Sequence, residues 1–196
     1  MTVHLVALKC LQCGFALPAE PDEVVCACPQ CGQAARLEGD NLVAQPVTWA
    51  EPRAGVTPAR WLPFWALPGR VVVTNRETQG FSFKATLSGA QGADPLWQQA
   101  TRLWVPAFGL SLDLAKGWGV SLTRAQPAPR PGPAPQGAPL RGCVVALDDA
   151  RKLAEFVVLS IEAERPDMLR SIAFTLPDGT PELWVLPSDG SQLVTG

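Results

Sequence analysis

Residues 10–14 read CLQCG and residues 28–32 read CPQCG, so four of the six cysteines form two CxxC pairs, each followed by glycine. Two residues between thiols allow a tight turn that points both sulfurs at one ion, and glycine after the second cysteine can adopt the positive φ of such a turn. Four thiolates in a tetrahedral arrangement leave no coordination position open for a substrate. We therefore predict one structural Zn²⁺ ion, bound by Cys10, Cys13, Cys28 and Cys31.

These paired knuckles resemble those of the zinc-ribbon family in its rubredoxin-like CPxCG form. The resemblance covers residues 1–45, about a quarter of the chain, and implies a small β-ribbon whose fold depends on the metal. Iron is an alternative, because rubredoxins use similar knuckles, although the short intervening segment with Phe15 favours zinc. With LPFW at 62–65 and VPAF at 105–108, the rest of the chain also resembles uncharacterised bacterial zinc-ribbon proteins, which implies no activity.

Three other residues with metal-binding or nucleophilic side chains are interpreted as structural. Cys26 is an alternative ligand, but the Cys28 pair fits the motif better, and we favour a small residue on the strand that enters the knuckle. Cys143 begins an apolar stretch and is expected to be a buried thiol. His4, the one histidine, lies outside both knuckles and is either an outer partner of the metal site or, by default, a solvated strand residue.

The composition argues against an enzyme. With one histidine and no tyrosine, histidine-based triads and catalytic zinc sites lack their residues. Asp148 and Asp149 are more typical of a helix start than of a Mg²⁺ site. No GxGxxG or GxxxxGK[ST] motif is present, so we expect no nucleotide and no small-molecule substrate.

The distribution of charge argues against nucleic acid as the partner. The whole chain has a net charge of −2, and residues 1–45 contain two Lys/Arg against five Asp/Glu. Residues 46–125 are mildly basic but contain no Lys/Arg cluster of the kind that a nucleic-acid-binding surface usually has.

The chain divides by composition into a zinc ribbon at 1–45, a Pro/Trp-rich connector at 46–69 and an α+β domain at 70–196. In this last domain we predict mainly antiparallel strands, at 71–74, 81–87, 102–108 and 143–147, and a hairpin formed by 171–176 and 182–186. One principal helix is predicted at about 148–164 from its apolar periodicity. Residues 126–139, rich in Pro, Ala and Gly, are predicted to be a flexible insertion rather than a proline-rich docking ligand.

The function expected from these patterns is a binding role. Trp61, Phe64 and Trp65 are either core residues, which is the commoner fate of large aromatics, or anchors for a protein partner. We expect a non-enzymatic protein-interaction or assembly adaptor, with a nucleic-acid-associated zinc-ribbon factor as the alternative. Without a recognisable signal peptide or an apolar run of about 18 residues, the sequence favours a cytoplasmic protein with no transmembrane segment.

Overall fold

The computed structural model describes residues 6–78, 92–135 and 140–196. This part of the chain contains ten strands, which form mostly antiparallel sheets, and two α-helices. The α+β class is therefore confirmed. The strands are β1 (Val25–Ala27), β2 (Ala34–Glu38), β3 (Asn41–Gln45), β4 (Thr48–Ala50), β5 (Arg60–Gly69), β6 (Val72–Thr78), β7 (Thr101–Pro106), β8 (Pro131–Gly132), β9 (Leu169–Thr175) and β10 (Glu182–Ser188). The helices are α1 (Leu112–Ala125) and α2 (Leu147–Ala163), and a 3₁₀ turn covers Pro95–Gln98.

The N-terminal module is a small three-stranded antiparallel sheet in the order β1-β2-β3. Two residues connect β2 to β3, and the first of them, Gly39, has a φ of +59°. Glycine reaches this angle without steric cost, so Glu38 and Asn41 can pair directly across the turn. Both cysteine turns belong to this module, which has the β-ribbon character expected for residues 1–45.

The main sheet has five strands in the order β7-β5-β10-β4-β8, and every neighbouring pair is antiparallel except β10 with β4. β5 lies between β7 and β10, and its residues 61–67 are all buried. A strand that is covered on both faces has a continuous apolar sequence instead of an alternating one. WLPFWAL therefore marks the interior of this sheet.

One face of the main sheet binds the ribbon and α2. Trp65 and Leu67 of β5 pack there with the buried side of α2 and with Val25 and Ala34 from the ribbon. Val25 also pairs with Cys143, just before α2. The ribbon thus shares a core with the rest of the chain.

The other face of the main sheet is covered by α1. Phe64 of β5 contacts Trp104, Phe108 and Trp118, with ring centroids between 5.6 and 6.4 Å apart. Leu122 of α1 is buried in the same cluster. Aromatic pairs at these separations and tilts add packing specificity to the area that they bury.

A two-stranded antiparallel sheet, β6 with β9, stands beside the main sheet and is tied to α2 by a buried ionic network. Arg76 of β6 donates from Nε to Glu162 (2.7 Å) and from both Nη atoms to Asp167. Glu162 also accepts hydrogen bonds from the Asp94 backbone N–H (2.7 Å) and from Trp97 Nε1 (2.8 Å). Each buried charge in this group therefore faces an opposite charge or a donor.

Two sequence predictions about segments 46–69 and 70–125 are corrected. The supposed connector at 46–69 contains β4 and the sheet's interior strand β5, because burial of the apolar run 61–67 favours a strand even though β5 includes Pro63 and Pro68. Between 70 and 125 the sequence predicted strands and no helix, whereas the segment ends in the helix α1, whose two glycines lower its intrinsic helix propensity. Tertiary packing overrides that propensity: Gly119 lets α2 approach, because a Cβ there would lie 2.5 Å from Val157 Cγ2.

The hairpin predicted for 171–176 and 182–186 is also wrong. β9 pairs with β6, whereas β10 pairs with β5 and β4. The burial patterns explain the separation: β9 is half exposed, but β10 is buried along most of its length and so belongs inside the main sheet. Residues 143–147 form only an isolated bridge at Cys143 instead of a strand, because α2 begins at Leu147.

The principal helix is confirmed, since α2 lies within one residue of the predicted bounds. The apolar part of its buried face consists of small and branched residues at helical spacing, namely Ala150, Ala154, Val157, Val158 and Ile161. The predicted flexible insertion is anchored in the sheet where it is described: Pro131–Gly132 pair with Trp49 and Ala50. Residues 136–139 of that insertion and the predicted strand 81–87 lie outside the described residues.

Candidate metal centre

The two cysteine turns have the same backbone geometry. Gly14 N donates to Cys10 O (2.9 Å), and Gly32 N donates to Cys28 O (2.8 Å). Both glycines have a positive φ, +73° and +75°, as the CxxCG pattern predicts. The backbone therefore follows the same path twice and presents two thiols from each turn.

The four thiols of Cys10, Cys13, Cys28 and Cys31 converge on one point. Their Sγ atoms all lie within 4.8 Å of one another, and the Cys10–Cys31 and Cys13–Cys28 pairs are each 3.5 Å apart. A tetrahedral site with metal–sulfur bonds of about 2.3 Å has sulfur–sulfur edges of about 3.8 Å. Two of the observed separations are slightly shorter than this value and none exceeds 4.8 Å, so these residues could hold a metal ion.

The pKa values show how crowded the four thiols are without a cation. Burial raises the pKa of Cys10, but backbone hydrogen bonds from Cys13 and Gln12 and contact with the Cys31 thiol outweigh it and bring the pKa to about 6. A hydrogen bond from the Gln33 backbone lowers the pKa of Cys31, but burial and its three thiol neighbours together raise it to about 12. Thiols this close cannot all ionise unless a cation compensates their charge.

Among the described residues, these cysteines are the one group of three or more His, Cys, Asp or Glu side chains close enough to hold a metal. No protein-family model, curated protein or solved structure matches this chain. The metal centre is therefore assigned from the chain's own residues.

The rim of this centre has a feature that the sequence analysis missed. Cys10 and Cys28 are buried, whereas Cys13 is exposed. Leu11, inside the first turn, is 54% exposed, and Phe15, which follows it, is 46% exposed. Phe15 O accepts a hydrogen bond from Cys10 N (2.8 Å), which fixes this aromatic residue beside the centre. The one sequence signal for this exposed apolar surface was the presence of Leu11 and Phe15 at a tight turn, where a small module has too few neighbouring residues to bury them.

Cys26 and Cys143 lie outside the four-thiol cluster. Both are buried, and burial is the main cause that raises their pKa values, to about 11 for Cys26 and about 12 for Cys143. The negative charge of Glu23 adds to both shifts. These thiols therefore stay protonated at neutral pH, as expected for structural cysteines.

The remaining candidates do not converge on a site. Asp148 and Asp149 lie in the exposed first turn of α2, behind the N-cap position at Ala146, and form ion pairs with Arg151 (3.5 Å) and Lys152 (2.9 Å). Carboxylates in a first turn complement the positive end of the helix. His4 lies outside the described residues.

Trp61, Phe64 and Trp65 are core residues. Their exposed fractions are 4%, 0% and 4%, and Trp65 Nε1 donates to Val145 O (2.8 Å). Trp61 packs edge-on against Trp49 with centroids 5.6 Å apart. The alternative expectation, that these residues anchor a protein partner, is therefore corrected. All three belong to the interior strand β5, which is covered on both faces.

Proposed function

We propose that this chain is a non-enzymatic adaptor whose N-terminal module, ordered by one structural Zn²⁺ ion, binds a protein partner. The observation that carries this proposal is the apolar rim, which we define as Leu8, Leu11 and Phe15. These side chains are 37%, 54% and 46% exposed beside the cysteine centre. Aromatic residues such as Phe15 are enriched in protein interfaces, and the two leucines extend the exposed apolar area around it.

The choice of zinc is supported by the donor set. All four converging side chains are thiols, and soft thiolates in a tetrahedral array suit zinc or iron. Four protein ligands close the coordination sphere, which is typical of a structural ion. The short segment between the two turns, with Phe15 as its aromatic residue, favours zinc over a redox iron centre.

A non-enzymatic role is supported by the way that acids are neutralised in the described part of the chain. Glu162 and Asp167, which are both buried, are paired with Arg76. Asp148 and Asp149 pair with neighbouring bases on the surface of α2. Groups that are held in such pairs stabilise structure and are poorly suited to exchange protons with a substrate.

A nucleic-acid partner has less support. Residues 1–45 carry a net charge of −3, and Arg36 is paired with Glu38 at 3.0 Å. A Zn²⁺ ion with four thiolates contributes two further negative charges. Phosphate groups bind to unpaired basic side chains. A module with this net negative charge would repel them.

The experiment compares the zinc-loaded chain with a Leu11→Ser/Phe15→Ser variant, each immobilised and exposed to an extract of the source cells. We expect the wild type to retain a specific set of proteins, and the variant to lose that set with unchanged zinc content and thermal midpoint. Leu37→Ser, at a residue that is 55% exposed on β2, is the matched control. Retention of the same proteins by the double variant, or capture of nucleic acid with a steep salt dependence, would contradict the proposal.

A further inference from the structure

A second apolar surface lies away from the ribbon, on the α1 side of the main sheet. Leu114, Gly117 and Trp118 of α1 line a groove of about 420 Å³ whose opposite wall includes Leu193 of the C-terminal loop. Leu114 is 56% exposed, although it is a large apolar side chain. This groove is lined by different residues from the apolar rim of the metal centre.

The two glycines of α1 differ in a way that points to an occupant of the groove. Gly119 has an internal role, because Val157 and the Trp104 carbonyl fill the space where its side chain would be. A Cβ on Gly117 would have nothing within 4 Å. Glycine in a helix interior is unfavourable compared with alanine. Nothing within the described fold offsets this at Gly117, so its small size is explained if another backbone approaches there.

The shape of the groove favours a helix as that occupant. One wall is a helix face with residues at i, i+3 and i+4, and the other is a loop held by Asp189, whose carboxylate accepts from the backbone N–H groups of Ser191 (2.8 Å) and Gln192 (2.9 Å). None of the described strands lines the groove, and Leu193 forms only an isolated bridge with Ser188. An amphipathic helix can place its apolar face in such a groove, whereas a peptide that binds as an added β-strand needs an open strand edge.

The charges favour a basic occupant. Among the described residues that line the groove, Asp113 is the one with a charged side chain. Hydrogen bonds from Gln192 and Ser191 lower the pKa of Asp189, in the adjoining loop, to about 2, so this carboxylate is ionised at neutral pH. A second copy of this chain would bring the carboxylates of both copies together without a base lining the groove, and is therefore disfavoured.

We propose that the α1 groove binds an amphipathic helical segment of another protein, with apolar side chains on one face and lysine or arginine at its edge. This docking site goes beyond the rim-borne adaptor role and does not depend on it, because it uses neither the metal centre nor its exposed residues. The two surfaces together would let the chain bridge two partners.

The test uses a labelled amphipathic Leu/Lys peptide of about four helical turns and a matched Leu/Glu peptide, with the full chain titrated into each while anisotropy is recorded. Wild type is expected to bind the Leu/Lys peptide saturably and the Leu/Glu peptide at least about tenfold more weakly. Gly117→Gln fills the groove floor with a better helix former, so we expect it to weaken binding at least about tenfold with an equal or higher thermal midpoint. Leu114→Gln should do the same, and Leu37→Gln is the matched control that should not.

Four results would overturn the proposal. Three concern the peptides: the absence of saturable binding by the wild type, equal binding by wild type and Gly117→Gln, and equal binding of the two peptides. A concentration-dependent dimer that Gly117→Gln abolishes would assign the groove to a second copy and would also overturn it. All of these outcomes leave the rim experiment unaffected, since Leu11 and Phe15 are unchanged.

Discussion

At the scale of single residues, Gly14 and Gly32 show how much of the metal centre is readable from the sequence. Both glycines end a CxxC turn with positive φ, so the motif alone predicts the ligands and the turn. Gly32 has a second role, which has no sequence signal. A Cβ on Gly32 would lie 2.0 Å from Ala134 Cβ, because the second turn packs against a segment a hundred residues along the chain.

The buried network around Arg76 leads to a prediction about pH. Hydrogen bonds from Arg76 lower the pKa of the Asp167 carboxyl group, and the Asp167 side chain is 7% exposed. A folded-state pKa below the ordinary value, about 3.9 for aspartate, stabilises the protein above that pH and ceases to do so as the pH falls toward the folded value. Asp167→Asn should therefore lower the free energy of unfolding by about 3 kcal/mol at pH 7, with a smaller difference below about pH 4.

Denaturant unfolding at several pH values checks this prediction. Glu38→Gln, in the exposed Arg36–Glu38 pair, is the control and should cost less than about 1 kcal/mol at any pH. An Asp167→Asn effect that is small at pH 7, or that grows on acidification, would show that the network does not stabilise the fold in this way.

At the scale of secondary-structure elements, sequence patterns succeed where one period dominates and fail where long-range packing decides. α2 was predictable because its apolar residues recur at helical spacing. α1 was not, because Gly117 and Gly119 weaken its helical pattern and the contact that justifies Gly119 comes from α2. The strands that pair with β10 could not be predicted either, since a buried strand of seven residues fits any interior position of a sheet.

The interior position of β5 gives a prediction about Trp65. Truncating a buried aromatic side chain costs about 3–5 kcal/mol, so Trp65→Ala should lower the thermal midpoint strongly. Trp65→Phe keeps most of the packing and loses the Nε1 bond to Val145 O, which costs about 1 kcal/mol. Met168→Ala, at a residue that is 63% exposed, is the control measured beside both by calorimetry. An unchanged midpoint for Trp65→Ala would remove this residue from the core.

At the scale of the whole molecule, the ribbon and the main sheet form a continuous structure. Trp49 Nε1 donates to Gly32 O (3.2 Å), and Val24 N donates to Cys143 O (2.8 Å), so the ribbon module is hydrogen-bonded at two points to later residues of the chain. Composition placed a boundary near residue 45 but gave no sign of these contacts. In the described residues, no helix is long and apolar enough to cross a membrane.

This arrangement relates the two proposed surfaces to each other. The ribbon packs on the face of the main sheet that contains Trp65, and α1, with its groove, packs on the face that contains Phe64. Partners bound at the apolar rim and at the groove would therefore lie against different layers of the molecule. The order of the ribbon, and with it the position of the rim, depends in this account on the metal.

Zinc content therefore tests the central claim most directly. Zinc binding to such thiolate sites is worth about 10–16 kcal/mol at neutral pH, and four ligands share it. Elemental analysis of the full chain should find one zinc per wild-type molecule and one per Cys26→Ser molecule, because Cys26 lies outside the cluster. Cys28→Ser should fall well below one, since it removes a converging thiol. A full equivalent in Cys28→Ser, or its loss in Cys26→Ser, would contradict the assignment.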